Sequence, residues 1–441
     1  MLNNYVHFTQ RSVPLFQINL NKLVRMSLSP RFILTAFIML TALLPTQAGT
    51  IFADSTRTFA VPTLAKTPKG TVALSWTEKD ANGMVYFYWA ESVDQGRTFG
   101  TKKQIFASPG MSGSRLMRPR LLFRPNGSIM AVFALRGTDV APAQADHHNH
   151  GAAPAGEKPK QEGRAGGRPS DLQIVYTTSA DGTAWTQPAP VHADRTPNTV
   201  RGFFDATILA NGEVAVTYLK DIPGKPHERD LRLVRTAGGK FGDEQVLDPF
   251  VCDCCNISLL VDKAGTLHLY YRENQDNIRD IAAMRSTDNG ATFSKASIFS
   301  PDNWRVNGCP HSGPTSSAGG GQNLVAWFSG ATDAPGIRVA DQNGRKLVVL
   351  SEATAKNPYL VPTPSASVLL WEQNQPTEST PVSTIAYRSI QGGKVTDMQV
   401  VTGSANGTNA SGLAADGQLV VAYEVRQANN KNALGVSLVK L

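Results

Sequence analysis

The chain alternates short apolar and polar runs around glycine turns, and the pattern repeats. A strand, a Gly or Asn-Gly turn and a second strand ending in an aromatic residue occur at Pro62–Trp76, Pro119–Phe133, Asp205–Tyr218 and Asn256–Tyr271. Weaker copies occupy Pro314–Phe328, Tyr359–Trp371 and Ser411–Tyr423. Period-two alternation on both sides of a tight turn is typical of a β-hairpin. The sequence therefore predicts seven hairpins.

Five copies carry an obvious turn glycine: Gly70, Gly127, Gly212, Gly265 and Gly417. Gly70 and Gly127 are 57 residues apart, and Gly212 and Gly265 are 53 apart. A hairpin that recurs at this spacing predicts four-stranded blades around an axis, because one blade cannot bury both of its faces alone. We therefore predict a single all-β domain over residues 49–441, a β-propeller with seven blades favoured and six as the rival. The last copy has room for only three strands, so a segment near Thr50–Thr58 is expected to complete it.

The N-terminal segment is typical of an export signal. Phe32–Leu44 is an apolar run of 13 residues that follows basic residues and precedes the small-residue stretch Pro45–Ala48. The run is too short to span a bilayer comfortably, so it predicts a cleaved signal peptide over residues 1–48, with Met26 as an alternative start. We expect an exported protein, periplasmic or extracellular, with no stable membrane span after cleavage.

Charge excludes two classes of partner. The formal net charge is +8, but the first 48 residues contain four basic and no acidic side chains, which leaves +4 for the rest. Such a weak bias argues against nucleic acid or an anionic membrane as the main partner. The expected partner is a glycan, another small-molecule ligand or a protein.

Two segments fit the pattern S-x-D-x-G-x-T-[FW], Ser92–Phe99 and Ser286–Phe293, and Ser179–Trp185 is a shortened copy. This pattern is the Asp-box (BNR repeat), and the chain resembles the sialidase-like propeller superfamily over nearly all of residues 55–441. In such a turn the Asp accepts backbone hydrogen bonds, the Gly supplies a positive φ and the aromatic residue packs between blades. We therefore interpret these residues as structural: Ser92, Asp94, Gly96, Asp181, Ser286, Asp288 and Gly290.

The resemblance also implies a reaction. Sialidases clamp the sialic acid carboxylate with three arginines, of which the first lies in an F-R-I-P motif. The corresponding stretch here is Phe59–Pro62, and Ala60 stands at the arginine position. Arg118 on the second hairpin is a partial substitute, but a methyl group does not replace a guanidinium–carboxylate contact. If the protein is an enzyme, an exo-α-sialidase-like glycoside hydrolase is the candidate, weakened by this loss.

Strand order predicts which face carries function. With strands A to D numbered outward from the axis, the A–B and C–D turns lie on one face, and the B–C and D–A connections lie on the other. The Asp-boxes are C–D turns, whereas the unusual residues fall in the second set, together with a flexible insertion at about residues 137–172. The candidates for catalysis or anion binding are Arg118, Arg201, Asp205, Arg272, Arg279, Asp280 and Arg305. Ion-paired staples between blades explain the arginines equally well.

All four cysteines are expected on that second face. Cys252, Cys254 and Cys255 lie in one D–A connection, and Cys309 and His311 lie in the next. These C-D-C-C and G-C-P-H segments resemble a subgroup of exported bacterial Asp-box proteins. Three interpretations remain open: a disulfide from Cys309 to one of the other three, a thiolate and imidazole site for copper or zinc, and a catalytic thiol. The insertion adds secondary metal candidates, or simply a solvated loop: His147, His148 and His150.

Three functions follow. The first is a sialidase-like propeller that binds or acts on a glycan or other ligand at this face. The second is a periplasmic metal-binding propeller that uses the Cys/His cluster for copper or zinc. The third is a disulfide-stapled scaffold that binds a protein partner. Metal analysis and a count of free thiols distinguish them.

Overall fold

The structure, a computed structural model, describes residues 50–137, 171–194, 196–225, 228–375 and 381–441. The whole of the predicted signal peptide and most of the predicted insertion, with His147, His148 and His150, lie outside the described residues. The described chain folds almost entirely into β-strands, and its one helical element is a short 3-10 turn at Arg115–Met117. Within the same residues no helix has the length and apolarity needed to cross a membrane.

The strands, in chain order, are β1 (Thr50–Phe52), β2 (Thr58–Lys66), β3 (Val72–Lys79), β4 (Val85–Ser92), β5 (Lys103–Ser108), β6 (Arg120–Phe123), β7 (Ile129–Arg136), β8 (Leu172–Ser179), β9 (Ala189–Pro190), β10 (Arg201–Ile208), β11 (Val214–Asp221), β12 (Arg229–Ala237), β13 (Lys240–Phe241), β14 (Gln245–Val251), β15 (Ser258–Val261), β16 (Leu267–Arg272), β17 (Ile281–Ser286), β18 (Ser297–Ile298), β19 (Thr315–Gly319), β20 (Gln322–Ser329), β21 (Gly336–Asp341), β22 (Lys346–Leu350), β23 (Lys356–Pro362), β24 (Ser367–Gln375), β25 (Val382–Gln391), β26 (Lys394–Val395), β27 (Gln399–Val400), β28 (Gly407–Ala415), β29 (Gln418–Arg426) and β30 (Asn432–Lys440).

These strands form seven antiparallel sheets within the described residues. Five sheets have four strands, and those starting at β10 and β23 have a fifth because a short strand precedes the outermost one. The seventh sheet joins the two ends of the chain, since β1 pairs with β30 and places Thr50 opposite Val436. The structure is therefore a seven-bladed propeller, as predicted, and the six-bladed alternative is wrong. We number the blades in chain order: blade 1 is β2–β5, blade 2 is β6–β9, blade 3 is β10–β14, blade 4 is β15–β18, blade 5 is β19–β22, blade 6 is β23–β27, and blade 7 is β28–β30 with β1. The expected closing strand lies at the start of the predicted segment.

An apolar core fills each gap between neighbouring blades. One cluster joins blades 1 and 7 around Trp76, another joins blades 4 and 5 around Trp327, and a third joins blades 5 and 6 around Trp371. The two last tryptophans are fully buried. Each blade thus covers both of its faces with its neighbours, which is the reason the hairpin must repeat.

The predicted turn glycines have the backbone conformation that the turns require. Gly70 and Gly127 have φ values of 81° and 84°, and a Cβ added at either would meet nothing within 4 Å. The requirement is therefore conformational rather than steric, because only glycine adopts this region without cost.

The Asp-boxes are C–D turns, and their aspartates accept hydrogen bonds from within the turn. Asp94 accepts hydrogen bonds from the backbone nitrogen of Thr98 at 2.8 Å and from its hydroxyl at 2.6 Å. Asp288 does the same for Thr292 at 2.9 and 2.6 Å. The aromatic residue Phe99 that ends the first box packs against Phe52 in the core between blades 1 and 7.

Acidic side chains tie the inner strands of neighbouring blades together. A bulge interrupts the pairing of β2 with β3 and of β28 with β29, and Val61 and Asn409 have positive φ there. The nitrogen freed at Val61 donates to Glu424 of blade 7 at 2.9 Å, and that of Asn409 donates to Glu372 of blade 6 at 2.7 Å. These carboxylates satisfy backbone groups that the bulges leave unpaired.

Candidate functional site

Three thiols converge in the connection between β14 and β15. The Sγ atoms of Cys252, Cys254 and Cys255 are separated by 3.5 Å (252 to 255), 3.8 Å (252 to 254) and 3.9 Å (254 to 255). All three side chains are buried, and we call them the buried triad. The backbone nitrogen of Cys252 donates to the carbonyl of Arg272 at 3.1 Å, which fixes the start of the loop on blade 4.

The spacing within the buried triad suits a metal ion. Ligand atoms about 2.3 Å from a tetrahedral ion lie about 3.8 Å from one another, and a trigonal arrangement widens this to about 4.0 Å. The observed separations of 3.5 to 3.9 Å fall at the tetrahedral value. Three thiols therefore already stand where thiolate ligands would stand around one ion.

A second ligand set overlaps the first. The ligand atoms of Cys254, Cys309 and His311 all lie within 4.8 Å of one another, and we call these residues the outer triad. Cys309 is exposed, and its sulfur lies 3.8 Å from a carboxylate oxygen of Asp253. The two triads share Cys254, so the structure brings the four cysteines and His311 together in two overlapping sets.

Asn256 hydrogen-bonds the segment of the buried triad to the segment that contains Cys309 and His311. Its side-chain oxygen accepts from the nitrogen of Gly313 at 2.9 Å, and its amide donates to the carbonyl of Pro314 at 3.2 Å. A Cβ at Gly313 would lie 1.8 Å from the carbonyl oxygen of Asn256, so only glycine permits this approach. His311 itself adopts φ 49°, a strained region for a side-chain-bearing residue.

Two buried arginines border the buried triad. Arg272 donates to the carbonyls of Ser312, Phe328 and Arg279 and lies over the Trp304 ring, 4.9 Å from its centroid. Arg279 is buried, and its Nε and Nη1 atoms make no hydrogen bond. Neither guanidinium has a carboxylate ion-pair partner among the described residues. The site therefore contains positive charge that negative sulfur ligands would neutralise.

The three thiols of the buried triad differ in pKa. Hydrogen bonding with Cys254 and Cys255 lowers the pKa of Cys252, and the charges of Arg272 and Arg279 lower it further. Burial raises the pKa of Cys255 to about 12. Hydrogen bonding to Cys252 raises the pKa of Cys254. The neighbouring thiols and guanidinium groups therefore favour the thiolate form of Cys252.

A small cavity lies on the axis beside these segments. It has a volume of about 90 Å³, and residues from six blades line it, among them Arg115, Arg118, Arg120 and Tyr359. Arg118 donates to the carbonyls of Pro62 at 2.7 Å, Asn409 at 3.0 Å and Ala410 at 3.4 Å. Its guanidinium therefore ties blades 1, 2 and 7 together and has little donor capacity left for a ligand.

Comparisons with known proteins identify the fold. Neither a family model nor a curated protein matches the chain. A solved ulvan lyase of polysaccharide lyase family PL25 matches with a TM-score of 0.54 at 13% identity, over 89% of this chain and 96% of that chain. The fold is a sialidase-like β-propeller.

Two sialidases also match. Trypanosoma rangeli sialidase gives a TM-score of 0.47 at 13% identity over 89% of this chain, which spans only 57% of the length of that enzyme. NanB sialidase from Streptococcus pneumoniae gives 0.49 at 11% identity, over 92% of this chain and 72% of that chain. At such identities the likeness concerns the fold, and the function depends on the site.

The sialidase-like propeller uses several predicted site residues as staples. Arg201 is fully buried and pairs with Asp194 at 2.5 Å. Asp205 pairs with Arg120 at 2.8 Å and accepts from the nitrogen of Leu259, also at 2.8 Å. These contacts join neighbouring strands and blades, as expected if the arginines are ion-paired staples.

Asp280 and Arg305 join the connection between β16 and β17 to the connection between β18 and β19. Asp280 accepts from the backbone nitrogens of Asn303 at 3.0 Å and Trp304 at 3.2 Å. Arg305 is exposed and donates to the carbonyl of Asp276 at 2.6 Å. Of the seven candidates, only Arg118 lines the axial cavity, so they do not form a single clamp around it.

Sequence reasoning missed two of the arginines at the axis. Arg115 and Arg120 flank Arg118, and three arginines within six residues at the start of an inner strand were the available signal. It also missed the relation between Glu273 and Asp248, which lie together in a groove beside blade 4. Burial raises the pKa of Glu273 to about 7, and the Asp248 charge adds to the effect.

Proposed function

We propose that this sialidase-like propeller binds one thiophilic metal ion, Cu(I) or Zn²⁺, at the buried triad of Cys252, Cys254 and Cys255. The observation that carries the proposal is the set of three Sγ–Sγ separations, 3.5, 3.8 and 3.9 Å. The loop directs all three sulfur atoms towards the same small volume. Both ions favour thiolate ligands. Three thiolates suffice for Cu(I), whereas Zn²⁺ would need a fourth ligand.

Charge supports this assignment. Three thiolates around a mono- or divalent cation leave a net negative charge, and a buried net charge is costly unless something nearby compensates it. Arg272 and Arg279 are buried beside the sulfurs, and within the described chain they lack carboxylate partners. They are therefore suited to compensate a metal–thiolate centre.

Simple packing explains less of the structure. Cysteine is often buried as a small apolar side chain. That role accounts for the burial of the triad, but it does not account for Cys309 and His311 converging on Cys254. A disulfide scaffold is the other alternative, and all four cysteines are unbonded in the structure.

Metal titration of the reduced full chain tests the proposal. We expect one equivalent of Cu(I) or Zn²⁺ per chain, measured by competition with a chromophoric chelator and by elemental analysis, which together distinguish the two ions. Replacing Cys252, Cys254 and Cys255 with Ser should abolish tight binding. Ser317→Ala, which removes a buried hydroxyl bonded to Ser367, is the control and should bind as the wild type does.

Two outcomes contradict the proposal. One is a wild-type protein with four free thiols that binds neither ion. The other is tight binding that persists in the folded triple variant, with folding checked by circular dichroism. Because the sequence predicts an export signal, we place this function outside the cytoplasm, and fractionation of cells that express the full chain tests the location.

A second candidate is the binding of an anionic sugar at the axis. Three arginines and several polar side chains line the axial cavity, and the matched ulvan lyase acts on a polysaccharide. Because Arg118 is held by backbone carbonyls, Arg115 is the residue expected to matter most. Calorimetry with uronate-containing oligosaccharides, for the wild type and Arg115→Ala, tests it: binding that Arg115→Ala abolishes supports this function, and no binding by the wild type excludes it.

A further inference from the structure

The two triads share one sulfur and differ in exposure. Cys252, Cys254 and Cys255 are buried, whereas Cys309 is exposed and His311 is partly exposed. An ion held by the outer triad is already bonded to Cys254, which is also a member of the buried triad. It can therefore move inward without ever losing all of its ligands.

A stepwise route matters because of the cost of desolvation. Moving a bare ion from water into a buried site is very unfavourable, since its hydration must be replaced. Replacing ligands one at a time avoids that state. Each exchange forms one metal–sulfur bond and breaks one bond to the previous ligand. Each thiol that binds releases its proton, the displaced Cys309 thiolate takes up a proton, and His311 leaves as a neutral imidazole.

From this arrangement we propose that the outer triad, Cys254, Cys309 and His311, is the loading site through which the metal ion reaches the buried triad. The inference rests on the proposed metal-binding function. Cys309 and His311 receive the ion from a donor at the surface together with Cys254. Cys252 and Cys255 then replace them, and the ion ends at the buried triad.

The surrounding structure holds the outer triad at the right place. Asn256 clips the segment of His311 to the segment of the buried triad, with bonds of 2.9 and 3.2 Å. Arg115 donates to the carbonyl of His311 at 3.0 Å from the opposite side. These hydrogen bonds therefore hold the two segments at a fixed separation while the ion moves from one set of ligands to the other.

The chemistry also indicates the kind of donor. A surface thiol and an imidazole exchange readily with a complex whose ligands are soft and replaceable, such as a small thiol or chelate complex of Cu(I). They give no advantage for a hydrated hard cation such as Mg²⁺, which favours oxygen ligands.

Loading kinetics test the inference. The reduced full chain is mixed in a stopped-flow instrument with the Cu(I) bis-bicinchoninate complex, and loss of the chelate colour reports transfer. Cys309→Ser combined with His311→Asn should slow transfer about tenfold, while the number of ions bound and the equilibrium affinity stay near the wild-type values. Asn307→Ala, an exposed change in the same segment, is the control and should leave the rate unchanged.

The outcomes separate the two proposals. If the wild type binds no Cu(I), the proposed function fails. If it binds but the double variant loads at the wild-type rate, the loading site is wrong and the function stands. If the double variant loses affinity as strongly as rate, Cys309 and His311 are resident ligands, and the loading role is again wrong.

Discussion

The guanidinium of Arg115 donates a hydrogen bond of 3.0 Å to the carbonyl oxygen of His311, so a residue of blade 2 holds a ligand segment of blade 5 across the axis. A hydrogen bond from a charged donor contributes about 1.5–3 kcal/mol when it is partly buried. This contact links the axial cavity to the outer triad.

Arg115→Ala should therefore act on both sites. We expect a loss of about 1–3 kcal/mol in the free energy of unfolding, because the carbonyl loses its donor, and slower Cu(I) loading, because His311 is less restrained. Urea unfolding and stopped-flow transfer measure the two effects. Arg115→Lys keeps the charge and should recover part of the loss, whereas wild-type loading in the alanine variant would show that the contact does not position His311.

Arg118 should prove structural rather than catalytic. Its guanidinium serves three backbone carbonyls of blades 1 and 7, so Arg118→Ala should cost about 2–4 kcal/mol of unfolding free energy. Turnover of a fluorogenic sialoside by the wild type should be absent or very weak, since Ala60 stands where sialidases have an arginine. Robust hydrolysis that disappears in a folded Arg118→Lys variant would show that this residue binds the substrate carboxylate.

Glu273 should make stability depend on pH. Burial raises its pKa from 4.5 to about 7, so between these values the folded protein keeps a proton that the unfolded chain has lost. Its contribution to stability is therefore complete below pH 4.5 and is lost as pH rises through about 7. Glu273→Gln should unfold at nearly the same urea concentration as the wild type below pH 4.5 and at a higher one above pH 7; parallel curves at all pH values would contradict this.

Asp94 should show the opposite dependence. Hydrogen bonds from Thr98 lower its pKa from 3.8 to about 2, so its contribution is present above pH 3.8 and is lost as pH falls through about 2. The difference in melting temperature between the wild type and Asp94→Asn should therefore shrink as the solution is acidified over this range. Asp243→Asn, which changes an exposed carboxylate outside the Asp-boxes, is the control and should show no such trend.

The fold followed from the sequence because its determinants are local. A hairpin needs a glycine at a position of positive φ and alternating side chains around it, and both are visible within fifteen residues at Gly70 or Gly127. Repetition then decides the architecture, since each blade needs neighbours on both faces. The sequence also predicts that the cysteine segments lie on the propeller face opposite the Asp-box turns, because antiparallel strand order places C–D turns and D–A connections at opposite ends of a blade.

The site was only partly predictable because its contacts are distant in the chain. The sequence shows that Cys252 and Cys309 share a face, but not that the bulge at Asn409 presents a carbonyl to Arg118. Nor does it show that Asp205 must serve the nitrogen of Leu259. Whether a charged residue is free for a ligand depends on such pairings, which are set by packing between blades.

The closing strand has a consequence for how the protein folds. In its sheet β1 pairs only with β30, which itself already pairs with β29, so the first strand of the domain has no partner until the last strand is in place. Contacts of such long sequence separation form slowly, and an unpaired strand edge invites pairing with another molecule during the delay. A strand of only three residues exposes few backbone groups in that interval. The short closing strand thus limits aggregation and exchange between chains while the ring is still open.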